Sequence, residues 1–128
     1  MKLFLQVEIG HSRESNDDRL LLHFASSLSS DLIGTDIDNH ADSIVIDLVI
    51  KLIEQVDKVF LMVVANEPHV PLGNALKVFT SLLDHSAVTV ALLGNHELAE
   101  KILREFEQNL TRVNKEEEIK SLIAEFAQ

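Results

Sequence analysis

Four apolar runs in this chain each give way to a short polar loop that carries a histidine. His11 follows Leu3–Ile9, His40 follows Leu32–Thr35, His69 follows Lys58–Val64 and His96 follows Val88–Leu93. Imidazole exchanges its proton near neutral pH, and its neutral form binds divalent metals. Carboxylates accompany the histidines: Glu14, Asp36, Asp38, Glu67 and Glu97. Histidine and carboxylate together can share a proton or hold a metal ion. If the runs are parallel strands, these loops share the carboxyl edge of one sheet, where open α/β sheets bind ligands. The candidate ligand-binding residues are therefore His11, Ser12 and Arg13, then Asn66, Glu67 and His69, then Asn95 and His96. No metal is expected from a complete motif; His11, His69 and Glu67 are the candidates, because the first and third strands should adjoin. The opposing view is that loops are polar, tolerate histidine, and are splayed by sheet twist. The loop Gly10–Asn16 offers hydroxyls, an arginine and a following helix N-terminus, the parts of an anion cradle. Glu14, Asp17 and Asp18 oppose a phosphate there. His23 and His85 fall in or just after helices and read as structural.

The elements that must position these residues follow from apolar periodicity. Leu3–Ile9, Lys58–Val64 and Ala87–Leu93 are nearly continuous apolar runs, as strands covered on both faces should be. Asp31–Thr35 is short and contains Gly34; it reads as an edge strand or a loop. Leu110–Val113 reads as a last short strand. Ser15 is placed to cap a first helix whose stripe is Leu20, Leu21, Phe24 and Leu28. A second helix runs about Ala41 to Gln55. A third carries Leu72, Leu76, Phe79 and Leu83. A fourth spans His96 to Phe106 with Leu98, Ile102, Leu103 and Phe106 inward, Asn95 capping it. Asn114 caps the last helix, with Glu117 placed for a capping box and Ile119, Leu122, Ile123 and Phe126 as its stripe. Strands alternating with helices imply parallel pairing and right-handed crossovers. The fold class is α/β: a three-layer sandwich with a four- or five-stranded, mainly parallel sheet. The flavodoxin-like order 2-1-3-4-5 is favoured. Residues 1–128 read as a single α/β domain.

Gly94-Asn95-His96-Glu97 resembles one signature block of calcineurin-like metallophosphoesterases, in which Asn and His serve a two-metal centre. That family's Asp-x-His near the first strand and its Gly-Asp pair after the second have no counterpart here. The strand pattern also resembles response-regulator receivers, but the first strand ends Gly10-His11-Ser12 and the central one Ala65-Asn66-Glu67. Both lack the acids that phosphoacceptor chemistry needs. The opening strand, Gly10-His11-Ser12-Arg13-Glu14-Ser15 and the helix after it resemble Toll/interleukin-1 receptor-type domains, as does the passage Gln55–Val64. That group's catalytic glutamate is not placed on any residue of this chain.

Composition narrows the classes. The 128 residues carry 21 acids against 11 bases, a net charge of −10. Such a surface repels nucleic-acid phosphates and anionic membranes. No apolar run approaches the roughly 20 residues of a membrane helix. The chain has no cysteine, which fits a reducing cytoplasm and removes thiolate chemistry. The second helix carries Ile44, Val45, Ile46, Leu48, Val49, Ile50, Leu52, Ile53 and Val56 around most of its circumference. Only Asp47, Lys51, Glu54 and Gln55 form a polar stripe. A helix on one face of a small sheet needs only about a 100° apolar arc. The excess predicts a symmetric homodimer through this helix. Two functions stand: a cytoplasmic domain acting through self-association or partner binding, and a small-ligand, nucleotide-related or metal-binding site, catalytic or not, at the strand carboxyl ends. Incomplete catalytic sets favour the first, without an enzymatic role. The histidine-bearing edge favours the second.

Overall fold

The computed structural model describes residues 1–10 and 20–128, the side chains of residues 20–23 and 116 excepted. The expected strands β1 (Lys2–Ile9), β3 (Lys58–Ala65) and β4 (Val88–Gly94) form the centre of one sheet. Edge strands β2 (Leu32–Asp38) and β5 (Leu110–Val113) complete the order β2-β1-β3-β4-β5, and every pairing is parallel. This is the order expected from the sequence. The second strand is longer than expected. It runs past Thr35 to Asp38 because it pairs with β1 along its whole length, Lys2 opposite Leu32 and Glu8 opposite Asp38.

Helices α2 (Ser43–Gln55), α3 (Ala75–Leu83) and α4 (Glu97–Leu103) cover one face, packing on Leu3, Leu5, Val7, Leu61 and Val63. Helices α1 (Leu20–Leu28) and α5 (Glu116–Ala127) cover the other, where Ala25, Ile119 and Ile123 meet Phe4, Phe60 and Met62. Phe60 stacks tilted on Phe4 and edge-on to Phe126, each with ring centroids 5.6 Å apart. The central strands are apolar on both faces because both are covered.

Several helix details depart from the sequence reading. In α3 the buried stripe is Ala75, Val78, Phe79 and Leu82, while Leu76 and Leu83 are exposed. Leu98 of α4 is likewise exposed, with Ala99 and Leu103 inward. The fourth helix is shorter than expected; Arg104–Asn109 tightens into a 3₁₀ segment before β5. The last helix starts after Lys115, and no side chain caps it. The predicted cap Ser15 and the side chains of Leu20, Leu21 and His23 lie outside the described residues. No helix among the described residues is long and apolar enough to cross a membrane.

Candidate functional site

The carboxyl ends of β2, β3 and β4 bring the loops that follow them to one edge. At that edge Asn39, in the loop after β2, is buried and joins three segments. Its Oδ1 accepts from the Gly10 N–H at 3.0 Å, and its Nδ2 donates to the Gly10 carbonyl at 3.0 Å and to the Pro71 carbonyl at 2.9 Å. The carboxamide thus prolongs the β1–β2 ladder by one peptide-like pair and fastens the β3–α3 loop to it. His40 Nε2 donates to the same Gly10 oxygen at 2.9 Å. Gly73, at φ 57°, allows the loop to lie against the Asn39 carbonyl, which a Cβ would strike.

His96 plays the matching part after β4. Its ring is 3 % exposed. Nδ1 accepts the Ala99 N–H at 3.1 Å, so the proton resides on Nε2, which donates to the Val70 carbonyl at 2.6 Å. His96, not Asn95, is therefore the N-cap of α4. The reason is spatial. Gly94 turns the chain at φ 88° against the Ala65 carbonyl, leaving Asn95 exposed and directing the next side chain inward. The imidazole of the Gly-Asn-His-Glu block thus faces the chain itself rather than the outside.

His69 stands outside this network. It is exposed, with Nδ1 3.7 Å from Glu97 Oε2, and Lys101 Nζ lies 3.9 Å from Glu97 Oε1. A shallow cavity of about 240 Å³ opens here among His69, Pro71, Glu97, Leu98 and Lys101. A second, of about 170 Å³, lies across Val70 and Pro71, beside Gly10, Asn39 and His40. Asn66 is exposed and Glu67 half-buried. The edge can thus present an imidazole, a carboxylate and an ammonium to solvent, enough to orient a small ligand. Among the described residues no group of three or more His, Asp or Glu is arranged to hold a metal ion. His11, Ser12 and Arg13 lie outside the described residues, so the His11–His69–Glu67 trio and the Gly10–Asn16 cradle are not described as units.

Just behind the edge, Arg112 of β5 pairs with Glu100 Oε1, and the His96 N–H donates to Glu100 Oε2 at 3.1 Å. The Arg112 guanidinium, by hydrogen bond first, holds the Glu100 carboxyl below its usual range. At the opposite edge His85 repeats the His96 pattern. It accepts the Ala87 N–H on Nδ1 at 3.1 Å and donates from Nε2 to the Val56 carbonyl at 2.9 Å.

Sequence reasoning missed Asn39, whose type and place in a polar loop give no sign of three bonds to two other loops. Comparison with protein-family models, curated proteins and solved structures finds no match to this chain.

Proposed function

We propose that this chain is an interaction module of the cytoplasm, without an enzymatic role, that associates with a second copy of itself through α2. The observation behind this reading is the exposed apolar flank of that helix. Ile44 is 71 % exposed, Leu48 62 % and Val45 41 %, while Ile46, Val49 and Ile53 already fill the core side. Covering such side chains stabilises a complex by about 1.5–3 kcal/mol for each one fully buried. Like-charged copies oppose this, since each carries −10, so association should strengthen as salt screens the repulsion.

Sedimentation of the unmodified chain tests the reading. A dimer at tens of micromolar, tighter at higher salt and lost in Leu48→Glu, is expected. Leu48 is exposed, so that substitution leaves the core intact. A strict monomer at every concentration and salt refutes it.

The cavity beside His69, Glu97 and Lys101 favours a second reading, a small-ligand site at the strand carboxyl ends. Titration calorimetry with zinc and manganese, on the unmodified chain and on His69→Ala, tests its metal-binding form. Equal, weak heats from both would end that form.

A further inference from the structure

We draw no further inference here: the strongest candidate, the acidic patch on the α1 and α5 face at the carboxyl half of β1 and β2, where the buried Gln6 Oε1 has no hydrogen-bond partner among the described residues and lies between Glu8 and the strand-paired Asp36, carries nothing, because Glu8 and Asp36 each already hold an interaction within the chain and no three acids among the described residues are arranged to hold a metal ion.

Discussion

Asn39→Ala is the sharpest test of how the carboxyl edge is held. The side chain makes three hydrogen bonds within the chain, two to the Gly10 peptide groups and one to the Pro71 carbonyl, from a position only 6 % exposed. A net value of about 0.5–1.5 kcal/mol for each of the three bonds brackets the loss at about 1.5–4.5 kcal/mol. The lower half of that range is expected, because the exposed Pro71 can turn its carbonyl to water and Gly10 keeps His40 on its oxygen. The chain has neither Trp nor Tyr, so urea unfolding is best followed by far-UV circular dichroism. The midpoint should fall while the m-value holds. Asn39→Asp sharpens the test. Its carboxylate still accepts from the Gly10 N–H but presents a charge to two carbonyl oxygens where the amide donated. It should be at least as damaging as alanine at pH 7 and recover in part as pH falls toward about 4, because burial and the two facing carbonyls favour the protonated carboxyl in the folded chain. A loss under about 0.5 kcal/mol for alanine, or an aspartate variant as stable as the parent, would refute the account.

Two further substitutions probe the same edge. Gly94→Ala should destabilise by about 2 kcal/mol or more, because an L-residue is strained at φ 88° and its Cβ would meet the Ala65 carbonyl; an unchanged urea midpoint would show that the turn relaxes. Glu100→Gln should cost about 0.5–1 kcal/mol at pH 7, the scale of a partly exposed ion pair. Arg112 depresses the Glu100 carboxyl in the folded chain, so its stabilisation is complete above the unfolded value of 4.5. It fades as pH falls through the depressed folded value. The gap between Glu100→Gln and the parent should therefore close in acid, and an equal gap at pH 7 and pH 3 would rule out the charge pair as its source.

The parts of the fold that were legible in the sequence are those whose surroundings are uniform. β1, β3 and β4 are covered on both faces, so their burial is written as continuous apolar runs. β2 lies at the sheet margin, where Asp36 and Asp38 alternate with the buried Ile37. That alternation, after Gly34, hid the last three residues of the strand. In α3 the run Ala75-Leu-Lys-Val-Phe-Thr-Ser-Leu-Leu83 carries two overlapping helical stripes. Only the position of the sheet decides that Val78 and Leu82 go inward rather than Leu76 and Leu83. α2 presents the reverse situation. Its apolar circumference was plain, and the exposed Ile44 and Leu48 are the part its own sheet does not need.

The candidate site was legible as a place but not as an arrangement. That loop histidines gather at one edge follows from parallel topology alone. Where each ring points does not, because the deciding partners are backbone groups far along the chain: Val70 for His96 and Val56 for His85. Both rings perform one task. A neutral imidazole offers one acceptor and one donor on a rigid frame. In each case the acceptor holds an N–H close in sequence, and the donor reaches a carbonyl in another loop. A histidine just past a buried strand can thus fasten two loops as readily as it can hold a ligand, and burial separates the two roles. By that criterion the buried His96 serves the fold, the half-buried His85 does so through its two backbone bonds, and the exposed His69, facing Glu97 across an open cavity, is left with its ring turned to solvent.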